Sequence, residues 1–212
     1  ALRKAAREAG MEVGENGETD IKLQELVEDA LVRVARKVVH KAHSKNMWKG
    51  DKSLFTKDIF ETVKLLYNLQ PTISMRSSNR VALQQYSTPL PMAFVADMFA
   101  TGARPSLNFI ALEPTAGNGM LVFGIGPEHV HANEIDENRL ENLRMQGYFD
   151  VTSQDATLPF NVNREYNAII TNPPFGSTEA KDYDGYKIAG LAQQIALNAL
   201  DKMKDKGKAV II

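Results

Sequence analysis

A short motif of polar, imino and aromatic residues, Asn172-Pro173-Pro174-Phe175, follows an apolar segment in the second half of the chain. Two consecutive prolines stiffen the backbone and remove two amide donors, which leaves carbonyl oxygens facing outward as rigid acceptors. The side-chain carbonyl of Asn172 and the backbone carbonyl of Pro173 can then accept both hydrogens of a planar NH2 group. Phe175 can stack on the flat ring that carries the amine. The motif predicts a site that binds an aromatic amine, with an ordinary proline turn as the alternative.

A glycine-containing turn lies earlier in the chain, where segment 113–119 (Glu-Pro-Thr-Ala-Gly-Asn-Gly) directly follows another apolar run. Gly117 and Gly119 allow a tight turn and a close approach of the backbone to a ligand. The dinucleotide motif G-x-G-x-x-G is incomplete, because Val122 stands at its last position. The Lys-Ser/Thr pair of phosphate-binding loops is also missing. A nucleoside without pyrophosphate is therefore the ligand that fits best, and a simple turn is the alternative.

An acidic residue, Glu134, ends the next apolar run, in segment 133–136 (Asn-Glu-Ile-Asp). It lies 21 residues after Glu113, a spacing that lets a carboxylate accept hydrogen bonds from both ribose hydroxyls. A surface carboxylate that caps the following helix is the alternative, a role that Asp136 could fill equally well. Together, the glycine turn and Glu134 predict a nucleoside site.

The elements that carry these motifs alternate between strand-like and helix-like patterns. The apolar, strand-like runs are 107–112, 130–135, 151–153, 168–171 and 209–212. The segments with a helical pattern between them are 118–123, 137–146 and 186–206. This alternation predicts an α/β fold with a doubly wound parallel sheet, whose ligands bind beyond the carboxyl ends of the strands. All three motifs fall at such ends.

The polar segment 176–185 is predicted to be a mobile loop that closes over the substrate, with a plain surface loop as the alternative.

The front of the chain has helical periodicity instead. Two segments carry apolar residues at helical spacing, 20–45 and 57–70, and a further helix is predicted at 89–102, after the texture of the sequence changes near residue 81. We therefore predict a helical N-terminal region, residues 1–79, followed by an α/β domain, residues 80–212. The chain begins without methionine and ends inside a strand-like run, so we expect it to be a piece of a longer protein, truncated after the fifth strand.

The composition, with 43% apolar and 24% charged residues, is typical of a soluble globular protein. The chain has no cysteine, which excludes disulfide scaffolds, thiolate metal sites and a cysteine nucleophile. No apolar run approaches the roughly 18 residues of a transmembrane helix, and no signal-peptide pattern opens the chain. We therefore expect a cytoplasmic protein that does not enter a membrane.

Charge is distributed unevenly, although the net charge is only −1. Residues 31–64 hold nine Lys or Arg and three Asp or Glu. Such a basic stretch could contact phosphates, or it could be a solvated helix face. His40 and His43 lie one helical turn apart within it, but no third ligand stands nearby, so no metal site is predicted.

The three motifs, in this order, resemble those of the Rossmann-like, S-adenosylmethionine-dependent methyltransferases. The sequence is most similar to N6-adenine DNA methyltransferases of the gamma arrangement, in which a Tyr-Thr-Pro-like element precedes the glycine motif and Asn-Pro-Pro-aromatic follows it. The first element here is segment 86–89 (Tyr-Ser-Thr-Pro), where Ser87 departs from the usual order. The resemblance covers about residues 80–212 and extends to restriction-modification subunits and phage-type methylase–helicase fusions.

The resemblance implies a role for each matching residue. The implied catalytic residues are Asn172, Pro173, Pro174 and Phe175. The implied residues of the S-adenosylmethionine site are Tyr86, Thr88, Pro89, Glu113, Pro114, Gly117, Gly119, Glu134, Ile135, Asp155, Ala156 and Asn172. Within that set, Thr88 would face the methionine carboxylate end, Glu134 the ribose, Ile135 the adenine ring and Asp155 the adenine amine. On its own, Asp155 could equally be a turn residue after a strand.

The implied activity is methyl transfer to the N6 amine of adenine in DNA, on a base flipped out of the duplex. Cytosine C5 methylation needs a thiolate and is excluded, whereas cytosine N4 remains chemically open. The family's recognition domain is expected C-terminal to residue 212. RNA bases and protein glutamine are alternative substrates, and a catalytically silent cofactor-binding module of a DNA-processing protein is a third alternative.

Overall fold

The computed structural model describes residues 2–8, 10, 17–48, 50, 57–69, 87–102 and 106–212. The helices are α1 (Leu2–Glu8), α2 (Gly17–Trp48), α3 (Lys57–Asn68), α4 (Leu90–Thr101), α5 (Glu137–Arg144) and α6 (Leu191–Leu200). The strands are β1 (Ala111–Glu113), β2 (Val130–Asn133), β3 (Asp150–Thr152), β4 (Tyr166–Thr171), β5 (Ser177–Tyr183), β6 (Tyr186–Gly190) and β7 (Met203–Ile211). None of the described helices has both the length and the apolar character that a bilayer crossing requires.

Five parallel strands form the main sheet, in the order β3-β2-β1-β4-β7. The chain enters the sheet at its centre, moves outward through β2 to β3, and then returns to β4 on the other side of β1. The strand order therefore reverses between β1 and β4, and such a switch point is where open α/β sheets bind ligands. This topology confirms the predicted α/β, doubly wound, Rossmann-like fold.

Neighbouring residues of the central strands supply two different cores, because side chains alternate between the faces of a sheet. Ala111 and Ile170 pack into a cluster that includes residues of α2, α3 and α4. Leu112 and Ile169 pack on the other face with residues of α6 such as Ile195. Burial on both faces explains why these strands appear in the sequence as continuous apolar runs.

The N-terminal helices share the first of these cores. Val32 and Val39 of α2 and Val63 of α3 are fully buried in the same cluster as Phe94 of α4 and Phe123. The boundary between residues 1–79 and 80–212 stays a prediction, but helices on its two sides pack in one apolar cluster.

Most predicted elements lie within a few residues of observed ones. The helices expected at 57–70, 89–102 and 137–146 correspond to α3, α4 and α5, and α2 extends beyond the predicted 20–45. Strand 107–112 is shorter than predicted: Ser106 and Phe109 form a turn, Leu107 is 95% exposed, and β1 begins only at Ala111.

Two predicted helices are wrong. Segment 118–123 forms only a 3₁₀ turn over Met120–Val122, because Gly119, with φ 84°, breaks the chain direction in front of it. Segment 186–206 contains three elements: β6, the helix α6 and the start of β7. The strand expected at 209–212 is the end of β7, which lies at an edge of the sheet and is only half-buried.

The loop predicted at 176–185 is instead the first half of a β-hairpin. β5 and β6 pair in antiparallel fashion, with Tyr183 opposite Tyr186. The two residues between them, Asp184 and Gly185, have φ of 52° and 87°, and this sign at both positions is what a two-residue hairpin turn with right-handed strand twist needs. Closure over a substrate stays a prediction for this hairpin.

Candidate cofactor and active site

The carboxyl ends of β1, β2, β3 and β4 border a cavity of about 290 Å³. Ten of the predicted site residues line it: Thr88, Glu113, Pro114, Gly117, Glu134, Ile135, Asp155, Ala156, Asn172 and Pro174. Four others lie outside its wall: Pro89, Gly119, Pro173 and Phe175. Tyr86 falls outside the described residues. Three motifs that are far apart in the sequence therefore meet at one cavity.

The glycine turn is held in a single shape by its own backbone. Gly117 and Gly119 have φ of 57° and 84°, values that favour glycine. The amide of Gly119 donates to the carbonyl of Ala116 at 2.7 Å, and that of Ala116 donates to the carbonyl of Asn133 at 2.8 Å. A Cβ at position 119 would collide with the hydroxyl of Tyr148. Gly119 thus shapes the turn, whereas Gly117 reaches the cavity.

Glu134 ties the glycine turn to the end of β2. One carboxylate oxygen accepts a hydrogen bond from the amide of Gly117 at 2.7 Å, and the other accepts from the amides of Ile135 and Asp136, at 2.9 Å each. Burial raises the pKa of Glu134, and the amides of Asp136 and Gly117 together with the nearby charge of Arg139 partly offset the rise. Asp136 caps α5 by accepting from the amide of Arg139 at 3.1 Å. The helix cap is therefore Asp136, and Glu134 faces the cavity.

Asn172 stands directly after β4 and is held by the segment before α4. Its Nδ2 donates to Oγ1 of Thr88 at 3.1 Å, and Thr88 is buried. The hydroxyls of Thr115 and Thr171 lie 2.9 Å apart and join the ends of β1 and β4 behind Asn172. The oxygen and nitrogen of a side-chain amide point in different directions, so the bond from Nδ2 to Thr88 turns Oδ1 of Asn172 away from Thr88.

The rest of the motif becomes progressively more exposed. Pro173 is buried, Pro174 is half-buried and lines the cavity, and Phe175 is 59% exposed. The aromatic ring therefore lies at the surface beside the cavity, where a flat ligand entering from solvent could reach it.

Glu113, at the end of β1, is only 1% exposed, yet it lines the cavity. Burial is the main cause that raises its pKa well above the usual range, and the nearby carboxylate of Asp97 adds to the rise. The amide of Thr115 and the hydroxyl of Thr171 lie near enough to favour the charged form, but among the described residues neither carboxylate oxygen has a hydrogen bond of good geometry. A buried acceptor without a partner costs free energy, and a donor on a ligand would recover it.

The far side of the cavity is built from the segment after β3. Asp155 is exposed, and its Oδ1 accepts from the amide of Thr157 at 2.9 Å, so it is a turn residue as well as part of the cavity wall. Ala156 beside it is buried. Ile135, 58% exposed, presents an apolar side chain from the segment after β2.

Sequence reasoning missed the contribution of α2. Glu28 of α2 lines the cavity and accepts a hydrogen bond from the hydroxyl of Ser87 at 2.5 Å. One turn earlier, Glu25 accepts from Asn118 of the glycine turn at 2.6 Å and from Nε of Arg139 at 2.9 Å. The signal was present in the sequence, since positions 25 and 28 share a helix face with the buried Val32. Carboxylates on an apolar face indicate polar partners elsewhere in the fold.

The charged side chains that line the cavity are mostly acidic. In the described part of the chain, the cavity is lined by four acidic side chains, Glu28, Glu113, Glu134 and Asp155, and by one basic side chain, Arg139. Such a lining favours a ligand that carries positive charge.

No family model matches the chain, and no curated protein matches it. Among solved structures, it is similar to a type I restriction-modification system methyltransferase subunit from Streptococcus thermophilus, with 19% identity and a TM-score of 0.48 over 60% of this chain. The chain spans only 34% of that subunit.

Two further structures are similar over larger parts of the chain. One is a candidate RNA methyltransferase from Pyrococcus horikoshii, with 22% identity and a TM-score of 0.48, covering 68% of this chain and 69% of that one. The other is a candidate class I S-adenosylmethionine-dependent methyltransferase from Listeria monocytogenes, with 14% identity and a TM-score of 0.49. The match covers 73% of this chain and 53% of that one. All three TM-scores lie below 0.5, and the α/β fold of this chain follows from its own strand order.

Proposed function

We propose that the chain is an S-adenosylmethionine-dependent methyltransferase that methylates the N6 amine of adenine in DNA. The observation that carries this proposal is the position of Asn172 on the cavity wall, directly after β4 and hydrogen-bonded to Thr88. Groups suited to a nucleoside lie along the same cavity at the ends of the other strands. One cavity thus brings an amine-binding group next to a nucleoside site, as direct transfer between two bound molecules requires.

The lining of the cavity fits this cofactor, which carries a sulfonium, an ammonium and a carboxylate and so has a net positive charge. Among the described residues, four acidic side chains line the cavity against one basic side chain. A cationic ligand would favour the charged form of Glu113 and Glu134, whose pKa values burial raises. Glu113 gives a more specific reason, because a donor from the ligand would supply the hydrogen bond that its buried carboxylate lacks among the described residues.

The nucleoside part of the cofactor would bind at the ends of β2 and β3. A carboxylate has about four acceptor sites, and Glu134 uses three of them for backbone amides, which leaves it able to accept from a ribose hydroxyl. Ile135 offers an exposed apolar surface to the adenine ring. Asp155, beside Ala156, offers an acceptor to the adenine amine.

The bound cofactor supplies an electrophilic methyl group, and the residues of the chain prepare the amine that takes it. Oδ1 of Asn172 would accept one hydrogen of the target NH2 group, and the carbonyl of Pro173, a residue outside the cavity wall, would have to turn toward the amine to accept the other. The two bonds favour a pyramidal nitrogen with an available lone pair. When bound, the cofactor would supply its methyl group to the amine that Asn172 and Pro173 hold, and the amine would lose one proton in exchange for the methyl group. Phe175 stacks on the ring and holds the amine in line.

Adenine in DNA is the substrate that the order of the motifs favours, since the Thr88 element precedes the glycine turn and Asn172 follows both. A base stacked in a duplex cannot place its amine in the cavity, so the target would be flipped out. The exposed Phe175 beside the cavity supports that arrangement. The recognition domain that selects the DNA site is expected outside residues 1–212.

The test is incubation of the purified chain with S-adenosylmethionine labelled with tritium in the methyl group, on DNA, RNA and protein in parallel. Label in DNA that is recovered as N6-methyl-2′-deoxyadenosine after digestion to nucleosides supports the proposal. Label in RNA or protein alone would replace the substrate with a base of RNA or a glutamine amide. No cofactor binding by calorimetry, on a chain with a cooperative thermal unfolding transition, would overturn methyl transfer altogether.

A further inference from the structure

The N-terminal helix α2 supplies a charged side chain to the cavity wall. Glu28 is 9% exposed, lines the cavity and accepts a hydrogen bond from the hydroxyl of Ser87 at 2.5 Å. Ser87 immediately precedes Thr88, whose hydroxyl accepts from Asn172. This chain of contacts places Glu28 on the same side of the cavity as Asn172.

A guanidinium lines the cavity close to this position. Arg139 is 5% exposed, and it bonds Glu25 through Nε at 2.9 Å and through Nη2 at 3.4 Å. Its Nη1 takes part in neither bond and faces the glycine turn, since a Cβ at Gly117 would lie 3.6 Å from it. The charge of Glu28 acts on Arg139 directly, so an anion and a cation lie close together in the wall.

The orientation of a bound cofactor follows from which residues line each end of the cavity. Its nucleoside part would lie toward Glu134, Ile135 and Asp155, at the ends of β2 and β3. The transferable methyl group has to lie beside Asn172. The amino acid chain on the sulfur is then placed between the Thr88 segment, where Glu28 bonds Ser87, and Gly117, which Nη1 of Arg139 approaches.

We propose that Glu28 and Arg139 together recognise the zwitterionic amino acid end of the cofactor, an inference that rests on the proposed function. The carboxylate of Glu28 accepts a hydrogen bond from the ammonium group, and Nη1 of Arg139 donates one to the carboxylate. Both bonds join opposite charges away from bulk water, where they are strongest. The consequence is that α2, outside every recognised motif, is part of the cofactor site.

The experiment compares two ligands that share the nucleoside and the thioether. S-adenosylhomocysteine has the amino acid end, whereas 5′-methylthioadenosine lacks it. We expect Glu28→Gln to weaken the binding of S-adenosylhomocysteine about tenfold, the factor that loss of one charge-assisted hydrogen bond produces. The affinity for 5′-methylthioadenosine should stay unchanged. Glu61→Gln is the matched control, because Glu61 lies on the exposed surface of α3, where it pairs with Lys64.

If Glu28 had a merely structural role, Glu28→Gln would weaken the binding of both ligands by the same factor or of neither, and either result overturns the proposal. The Arg139 contact is tested on the unchanged protein, because Arg139 variants would also lose the bond to Glu25. Wild type should bind the decarboxylated analogue of S-adenosylhomocysteine about tenfold more weakly than the parent compound, and equal affinity would overturn that contact. Failure of wild type to bind any of the three ligands would count against the proposed function instead.

Discussion

Asn172 donates a hydrogen bond from Nδ2 to Oγ1 of Thr88 at 3.1 Å and so joins two positions that are 84 residues apart in the sequence. The bond fixes the orientation of the Asn172 amide at the carboxyl end of β4. Preorganised groups of this kind contribute most to catalysis, because no energy is spent on orienting them during the reaction. Thr88 is therefore a positioning residue for Asn172 as well as part of the cavity wall.

The first prediction concerns that bond. Thr88→Val keeps the shape of the side chain and removes the hydroxyl, so the amide of Asn172 loses its orientation. We expect the rate of methyl transfer to fall about tenfold while the affinity for cofactor changes by less than about threefold, because one neutral hydrogen bond is removed. Single-turnover methylation and calorimetry measure the two quantities.

Thr62→Val is a suitable control for this variant. Thr62 lies on α3, and its hydroxyl donates to the backbone carbonyl of Asp58, one turn earlier on the exposed side of the same helix. It should match wild type in both assays. Equal turnover of the Thr88 variant and wild type would contradict the positioning role.

The second prediction concerns the buried carboxyl of Glu113. Its pKa is raised in the folded chain, so the folded state binds the proton more tightly than the unfolded state. Stability is then highest below the usual pKa of glutamate and falls as pH rises from that value toward the raised one. Glu113→Gln cannot ionise, so near neutral pH its free energy of unfolding should exceed that of wild type by about 1–3 kcal/mol.

The difference in unfolding free energy between Glu113→Gln and wild type should disappear at low pH. Below the usual pKa of glutamate, the side chain at position 113 is neutral in both proteins, folded or unfolded. Urea unfolding across a range of pH measures it. The same variant should bind the cofactor less well, because an amide cannot take the charged form that a cationic ligand would favour at this position. A variant that is less stable than wild type at neutral pH would contradict the account of Glu113.

The third prediction concerns the glycine turn. Gly119→Ala forces a Cβ both into a left-handed backbone conformation and against the hydroxyl of Tyr148. We expect a loss of about 2–4 kcal/mol of unfolding free energy from strain and overpacking together. Gly185→Ala separates the two effects, since Gly185 has φ 87° but no neighbouring atom within 4 Å of its Cβ position.

The Gly185 variant should therefore lose only about 1 kcal/mol, the usual cost of the backbone conformation alone. Chemical unfolding of both variants gives the comparison. Similar losses at the two positions would show that Tyr148 does not restrict the turn.

The sequence allowed the sheet and most of the cavity to be predicted, because buried parallel strands leave continuous apolar runs that end at the site. Ala168 to Thr171 is such a run, and Asn172 follows it. The β5–β6 hairpin was missed because most of its side chains are exposed and show no apolar pattern. The turn residues Asp184 and Gly185 were the one local signal for it.

The parts of the cavity wall that were missed depend on contacts between distant segments. Arg139 bonds Glu25 across 114 positions, and Ser87 bonds Glu28 across 59. No local pattern encodes which partner a buried carboxylate will find, so α2 appeared in the sequence only as a helix with acidic and basic parts. Gly119 was assigned to the cofactor from its motif, whereas the structure places it against Tyr148 and outside the cavity wall.

The most direct test of the central claim is Asn172→Ala, assayed for both cofactor binding and methyl transfer. Asn163→Ala is the control, since Asn163 is exposed in the segment before β4. We predict that the Asn172 variant binds S-adenosylmethionine within about threefold of wild type and loses methyl transfer by a factor of about a hundred or more, because its amide acts on the target amine. Full turnover by the Asn172 variant would contradict the claim that this residue prepares the amine.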